Sequence, residues 1–328
     1  MPARQRLFSG IQPTGVVHIG NYLGAIRNWV RLLESYECTY CIVDYHAMTI
    51  RYEPSEMQGR IQELAAVLIA SGLTPDRCTL YAQSELPEHA ELCWILTTIA
   101  GLGELERMTQ FKDKSEQDRD NVNLGLLAYP VLQTADIILF KATAVPVGED
   151  QLQHLELARE IVRRFNRKFG PVFPEPQAVT TQGARVLGLD GKAKMSKSLN
   201  NYIGLVETPA EIWDKLRPAV TDPQRVRRSD PGRPEICNIY ALHRQFSAPD
   251  RIHLVERECR SAGIGCIDCK KLLAESLEVE IGPIRQRYQA LRADQEQVIG
   301  SLRQGAERAR AVAHQTMDEV RRAVGLRA

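Results

Sequence analysis

Two short segments carry residue types that bind phosphate groups. The first is Gly10–Asn21, in which three glycines surround His18. Glycine lets the backbone approach a nucleotide closely, and a neutral histidine can donate a hydrogen bond to phosphate oxygens. The second is Lys194–Ser198, whose two lysines and adjacent hydroxyls suit a pyrophosphate leaving group that gains charge in the transition state. Taken singly, the first also fits a tight strand–helix turn and the second a solvated basic loop.

The elements around the first segment predict a parallel sheet. A strand pattern at Arg6–Ile11 precedes it, and an amphipathic helix from about Ile19 to Tyr36 follows. Strands then alternate with helices, which is typical of parallel strands joined by crossover helices. The first segment would therefore present free amide N–H groups and a helix N-terminus to an anion. The other predicted strands are Thr39–Asp44 and Arg77–Ala82, and the other predicted helices are 54–72 and Ala90–Ile99.

The pattern changes along the chain. A mostly helical insertion is predicted at about 103–170, and from Ala210 onward the strand pattern disappears. The predicted fold class is α/β: a Rossmann-like parallel-sheet domain at 1–205, followed by an all-helical domain at 206–328.

Composition indicates an ordinary soluble protein. The 328 residues are 44% hydrophobic and 25% charged, with a net charge of +1. A net charge this small gives no overall positive potential that would indicate a nucleic-acid partner, although a local stripe of basic residues can still bind phosphates. The N-terminal residues lack the apolar stretch of a signal peptide, and no apolar run reaches membrane-spanning length. We therefore expect a cytoplasmic location, no membrane partner, and reduced cysteines.

Together, the two phosphate-binding segments resemble the two signatures of class I aminoacyl-tRNA synthetases. The tryptophan branch of that class fits best, and Asn21 ends the first signature where many relatives have a second histidine. The resemblance also rests on Phe8–Gly15, Gly103–Ser115 and Val145–Gln151.

This resemblance implies the reaction and its partners. L-Tryptophan would attack ATP to give tryptophanyl-adenylate and pyrophosphate, with Mg²⁺ present, and the acyl group would then pass to tRNA(Trp). The helical domain would read the anticodon, and the enzyme would be a homodimer. No covalent nucleophile is needed, because positioning and charge stabilisation supply the catalysis.

The resemblance also implies site residues. Catalytic charge stabilisation would come from His18, Lys114, Lys194 and Lys197, with Lys112 near Lys114. ATP would be held by Gln12, Pro13, Thr14, Gly20, Asn21, Gly148, Glu149, Asp150, Val186, Lys194, Met195, Ser196, Lys197 and Ser198. Tryptophan would be held by Phe8, Gly10, His46, Tyr129, Gln133, Asp136, Val145, Val147 and Gln151.

Within that amino-acid site, two positions decide the substrate. Asp136 corresponds to the carboxylate that accepts the indole N–H, which suits a ring offering one donor and no acceptor. Gln133 departs from the family pattern, which has methionine there in bacterial relatives. We expect Gln133 to alter tryptophan affinity.

Four cysteines form a candidate metal-binding site: Cys237, Cys259, Cys266 and Cys269. Four thiolates satisfy either tetrahedral Zn²⁺ or a [4Fe–4S] cluster. The arrangement resembles a subset of the tryptophan branch that carries a [4Fe–4S] cluster, although the first spacing is one residue shorter here. The remaining cysteines are predicted to be core residues.

Two alternatives remain open from the sequence. A tyrosyl-tRNA synthetase shares the scaffold, but Gly103–Ser115 and Gly148–Gln151 argue against it. A catalytically altered paralogue could instead act as a redox-linked binding or sensing protein; the intact Lys194–Ser198 segment argues against this, whereas Gln133 leaves it open. Most arginines after residue 284 are predicted to lie on solvated helix faces, with a few contacting tRNA.

Overall fold

The structure, a computed structural model, describes residues 4–148, 151–180 and 186–327. The chain forms two compact units, each discontinuous in sequence. The first unit comprises 1–15, 29–181 and 294–328, and the second comprises 16–28 and 182–293. The predicted domains, 1–205 and 206–328, differ from this division, because residues 16–28 group with the second unit and residues 294–328 with the first.

The first unit contains a five-stranded parallel sheet in the order β3-β2-β1-β4-β5. The strands are β1 (Arg6–Ile11), β2 (Glu37–Ile42), β3 (Thr79–Ala82), β4 (Ala144–Val147) and β5 (Gln177–Thr180). The predicted α/β fold class is confirmed, and β1 has the predicted bounds. The strand order reverses between β1 and β4, and ligands of open parallel sheets bind outside the carboxyl ends at such a point.

The helices occupy most of the remaining chain. They are α1 (Ile19–Asn21), α2 (Arg27–Leu32), α3 (Asp44–Ala47), α4 (Pro54–Ala70), α5 (Glu88–Thr97), α6 (Leu102–Glu106), α7 (Thr109–Gln117), α8 (Leu124–Leu139), α9 (Leu152–Phe169), α10 (Pro209–Leu216), α11 (Asn238–Phe246), α12 (Pro249–Arg260), α13 (Cys266–Ala293) and α14 (Gln295–Ala323). Among the described residues, no helix has the length and apolar character needed to cross a membrane.

The predicted helix from about Ile19 to Tyr36 is not a continuous α-helix. A π-helical segment, Tyr22–Ile26, separates α1 from α2, and the regular helix ends at Leu32. Hydrophobic spacing cannot distinguish one wide turn from an α-helical turn, so this feature was missed. Such π-helical segments occur often at functional sites, and this one is separated from His18 by α1 alone.

The last helix, α14, packs in the first unit against β3 and several helices. Its arginines make protein contacts there. Arg308 donates to the backbone oxygens of Pro75 and Cys78, and Arg321 pairs with Glu91. These two arginines therefore hold α14 against the first unit.

Candidate active site

In the second unit, His18 is 6% exposed and caps the start of α1. Its Nδ1 accepts a hydrogen bond from the Asn21 backbone N–H at 3.2 Å, while the Asn21 side chain accepts from the His18 N–H. An accepting Nδ1 places the ring proton of neutral His18 on Nε2. This histidine is therefore oriented as a neutral donor.

The Lys194–Ser198 segment lies in the same unit. The Asn201 side chain accepts from the Ser196 N–H at 2.8 Å and donates to Asp190, which fixes the loop. Backbone bonds also join the segments beside the two signatures, since Ile19 N–H donates to the Ile203 oxygen at 2.9 Å. The second unit thus brings residues 16–21 of the first phosphate-binding segment together with the Lys194–Ser198 segment.

Charge around His18 supports that grouping. Burial, followed by the positive charges of Lys197 and Lys194, lowers its pKa to about 4. Gly20 contributes through its size, because a Cβ at that position would lie 2.9 Å from His18 Nδ1 and 3.5 Å from Met195 Cβ. At neutral pH the segment therefore offers one neutral donor and two cations to an anionic ligand.

The first unit places other predicted ATP-binding residues at its switch point. Gln12–Thr14 follow β1, and Gly148 follows β4, the neighbouring strand. Val186, of the second unit, accepts through its oxygen from the Met195 N–H at 3.1 Å. The predicted residues Glu149 and Asp150 lie outside the described residues.

Asp136 lies on α8 in the first unit and is 1% exposed. Its Oδ2 lies 2.7 Å from His46 Nε2, and its Oδ1 lies 2.6 Å from Gln83 Nε2 and 2.7 Å from His89 Nδ1. Burial alone would raise the pKa of this carboxyl, but the charges and hydrogen bonds of His46 and His89 hold it at about 2. A buried carboxylate at this position is available as an acceptor.

Other predicted tryptophan-binding residues share the helix face of Asp136. Tyr129 and Gln133 precede it by seven and three residues, a spacing that places all three on one face of α8. The Tyr129 hydroxyl lies 2.8 Å from His154 Nε2, and its ring lies 4.8 Å from Lys114 Nζ. Burial raises the pKa of Tyr129 to about 12 and lowers that of Lys114.

Apolar residues around this site come from the sheet. Phe8 and Val145 are buried, and the Phe8 ring stacks on Phe140 at 5.5 Å between centroids. Gly10 allows close approach, because a Cβ there would lie 2.7 Å from Val43 Cγ1. Val147 is buried, and the Gln151 N–H donates to the Gly148 oxygen at 3.0 Å. The first unit therefore collects an apolar wall and buried polar groups.

The four predicted metal-binding cysteines approach one another in the second unit. Cys266 and Cys269 stand one helical turn apart at the start of α13. Arg225 Nη1 lies 3.8 Å from the sulfurs of both Cys259 and Cys266. Burial, followed by the three neighbouring thiols, raises the pKa of Cys269 to about 12.

These four side chains are free thiols, as are the other cysteines. Among the described residues, no group of three or more His, Cys, Asp or Glu side chains has the arrangement of a metal site. The thiols are nevertheless close enough to affect one another's ionisation. Gly232 packs tightly here, since a Cβ there would lie 2.4 Å from the Cys259 sulfur. Four thiols are the ligands that the predicted [4Fe–4S] cluster or Zn²⁺ requires. In the described residues, however, these side chains do not have the geometry of a metal site.

Sequence reasoning missed the residues that hold Asp136, namely Gln83 and His89, with Tyr81 behind His89. Gln83 directly follows β3, so the rule that functional residues follow parallel strands could have identified it. His89 lies near the start of α5 and carries no comparable signal.

Comparisons with known proteins agree with these features. A family profile described as class I tRNA synthetases (W and Y) matches residues 2–280. The tryptophan–tRNA ligase of Deinococcus radiodurans is 52% identical over 325 residues, covering 98% of each chain.

Two solved structures are also similar. Tryptophanyl-tRNA synthetase from Campylobacter jejuni, complexed with ADP and tryptophan, has a TM-score of 0.89 and 33% identity over 98% of this chain and 99% of that one. Tyrosyl-tRNA synthetase from Archaeoglobus fulgidus has a TM-score of 0.68 and 22% identity over 87% of this chain and 90% of that one, which shows the shared fold alone. The chain therefore belongs to the tryptophan–tRNA ligase family of class I tRNA synthetases.

Proposed function

We propose that this chain is a tryptophan–tRNA ligase. It activates L-tryptophan with ATP, taken as its Mg²⁺ complex, and transfers the tryptophanyl group to tRNA(Trp). The observation that carries this proposal is the 52% identity to a tryptophan–tRNA ligase over 98% of both chains. A cytoplasmic location follows from a role in translation.

The mechanism uses positioning and charge. Asp136 accepts the indole N–H, while Tyr129 and Gln151 hold the α-ammonium group. The tryptophan carboxylate attacks the α-phosphorus, and the bond to the pyrophosphate leaving group breaks. Negative charge grows on that leaving group, where Lys194, Lys197 and Lys114 supply cations and His18 Nε2–H supplies a neutral donor. Gln12–Thr14, Gly148 and Val186 hold the nucleotide.

Amino-acid-dependent ATP–pyrophosphate exchange tests this function. Purified protein is assayed with tryptophan and, separately, with tyrosine. We expect exchange with tryptophan alone. Asp136 is an acceptor and can bond the single N–H donor of the indole, whereas the phenol of tyrosine also needs a donor for its own oxygen. Exchange that depends on tyrosine, or none with either amino acid from folded protein, contradicts the proposal.

His18 gives a prediction about pH. Because its pKa is about 4, the ring stays neutral as the pH falls from 8 to 6, and its protonation adds no acid limb to the exchange rate in that range. Replacing the donor, His18→Ala, should lower kcat by roughly a hundredfold. The measurement is the pH profile of kcat for both proteins. The exposed His253→Ala serves as the control, and an equal loss in that variant contradicts the assignment.

We also propose that the four cysteines hold a [4Fe–4S] cluster, with Zn²⁺ as the alternative ligand. Support comes from the convergence of four thiols, the Arg225 donor beside two of them, and the close approach of Gly232. Thiolates bind either metal, and such a group would cross-link α12, α13 and the segment before α11. We assign it no step of the aminoacylation reaction.

Metal analysis of anaerobically purified protein tests this assignment. We expect about four irons and four acid-labile sulfides per chain, because each sulfur of such a cluster site binds one iron. Cys266→Ser should remove most of the bound metal, whereas Cys93→Ser, in the first unit, should retain it. One zinc per chain selects the alternative, and metal-free wild-type protein with intact thiols contradicts both.

We propose that the chain forms a homodimer through an apolar patch of the first unit. The patch consists of Met48, Ile50, Val122 and Leu124, with Leu124 76% exposed. Asn123 joins its two segments by donating to the Thr49 oxygen at 3.1 Å. Contiguous exposed apolar surface of this kind is typical of an interface.

Sedimentation velocity tests the dimer. Wild-type protein should sediment at twice the chain mass of 36.9 kDa. Leu124→Glu should shift it toward the monomer, because the interface would then bury a charge. Val279→Glu, at an exposed position in the second unit, should leave the mass unchanged. A monomeric wild-type protein contradicts this proposal.

A further inference from the structure

The indole acceptor is itself held by a buried network in the first unit. Two side chains hydrogen-bond the Asp136 carboxylate, His46 at Oδ2 and Gln83 at Oδ1, and His89 Nδ1 lies 2.7 Å from Oδ1 without the geometry of a hydrogen bond. Gln83 and His89 are both 0% exposed. Water cannot replace these bonds readily, so the state of the carboxylate depends on these side chains.

The number of acceptor positions limits what the carboxylate can still bind. An ionised carboxylate offers about four lone-pair positions on its two oxygens. One position on Oδ1 accepts from Gln83 and one on Oδ2 faces His46, while His89 Nδ1 lies beside Oδ1 at 2.7 Å. These contacts leave acceptor positions on the carboxylate. A ligand that presents an N–H donor can be accepted there.

His89 also contacts Tyr81 through its other ring nitrogen. His89 Nε2 lies 2.8 Å from the Tyr81 hydroxyl. Burial raises the pKa of Tyr81 well above its ordinary value, so the hydroxyl keeps its proton and can either donate to Nε2 or accept from it. A neutral His89 ring with its proton on Nδ1 turns that proton toward Asp136 and leaves Nε2 to accept from Tyr81. The contacts with Tyr81 and Asp136 are therefore compatible with one tautomer of His89.

Other titratable groups near Asp136 do not compete for this role. Burial raises the pKa of Cys93 to about 12 and that of Cys41 well above its ordinary value, so both thiols remain neutral near pH 7. The Asp44 carboxylate accepts from the backbone N–H groups of Tyr45 and Ser84. His46 and His89 are therefore the titratable donors that contact Asp136 in the described part of the chain.

We propose that His89 is a positioning residue for amino-acid selection. With His46 it keeps Asp136 ionised as the acceptor for the indole N–H, and Tyr81 contacts the far nitrogen of the His89 ring. This inference rests on the proposed function, because it assumes that tryptophan binds at Asp136. His89 itself acts through Asp136 and does not contact the reacting atoms.

Binding of two ligands isolates this effect. L-Tryptophan is compared with β-(3-benzothienyl)-L-alanine, which has sulfur in place of the indole N–H. In the wild-type protein we expect tryptophan to bind about a hundredfold more tightly, since a charged acceptor would otherwise be left unpaired. In His89→Leu this ratio should fall to about tenfold or less, because the carboxylate loses a donor.

Two further variants keep the test independent of folding. His89→Asn can place an amide N–H near the position of Nδ1, and should restore the ratio to within about threefold of wild type. Tyr81→Phe retains the His89 ring but removes the hydroxyl, and should reduce the ratio several-fold. The control is His253→Asn, an exposed position in the second unit.

The pH dependence gives a second readout. A proton on Asp136 would occupy a lone pair that could otherwise accept the indole N–H. In the wild-type protein, the Asp136 pKa of about 2 keeps the carboxylate ionised above pH 5. His89→Leu should raise that pKa, so tryptophan affinity should fall as the pH is lowered from 8 to 5.

An unchanged ligand ratio in folded His89→Leu and Tyr81→Phe overturns the inference, even when both affinities fall together. Failure of the wild-type protein to bind tryptophan overturns the proposed function as well, and the two failures are therefore distinguishable.

Discussion

Replacing Asp136 with asparagine should lower kcat/KM for tryptophan activation by a hundredfold to a thousandfold, roughly the effect of breaking a buried charged hydrogen bond. An asparagine has one acceptor oxygen, whereas His46 and Gln83 bond different oxygens of the carboxylate and His89 Nδ1 lies 2.7 Å from Oδ1. The amide NH2 would face a donor or the indole N–H. Pyrophosphate exchange at varied tryptophan concentration measures this loss.

The same substitution should also reduce stability. Each buried donor that loses its charged partner lowers the free energy of unfolding by about 1–3 kcal/mol. Exchange is therefore assayed well below the unfolding temperature, with ATP binding as a check on folding. The matched control, Asp120→Asn, changes an exposed carboxyl in the same unit. Retention of wild-type kcat/KM by Asp136→Asn would remove Asp136 from the amino-acid site.

This network also shows how far the sequence could predict the site. Asp136 and His46 were predicted from family resemblance, and the structure places them 2.7 Å apart. Gln83 and His89 were not predicted, because contacts between residues 53 and 47 positions apart leave no periodic signal. Their roles depend on which strands and helices become neighbours. Such pairings are fixed by packing and are invisible to local patterns.

The secondary structure, like the site, was predictable from the sequence only in part. β1 was predicted at Arg6–Ile11 because a short apolar run precedes a glycine-rich turn. β4 and β5 were not predicted, since each has only four residues and β4 contains Pro146. The sequence also assigned the last helix to the back domain by composition. Its packing in the first unit depends on a small residue at one particular position of the helix, and composition does not show positions.

That position is Gly305 on α14. A Cβ there would lie 1.8 Å from the backbone oxygen of Leu80 and 2.7 Å from its carbonyl carbon. Leu80 lies in β3, an edge strand of the sheet. The helix backbone therefore lies directly against the strand backbone, and covers an edge that would otherwise be open to pairing with another chain.

Gly305→Ala should consequently destabilise the first unit by about 3 kcal/mol, the upper range for an overpacked core. Alanine favours a helix over glycine by up to about 1 kcal/mol, but the obstacle is backbone and cannot move by changing a rotamer. Gly300→Ala, in the same helix with open space around the position, should instead stabilise the protein slightly. Thermal and urea unfolding of both variants measure the difference. Opposite signs for the two changes identify the contact with Leu80 as the cause, because helix propensity alone would stabilise both. Equal stabilisation would show that α14 does not pack this closely on β3.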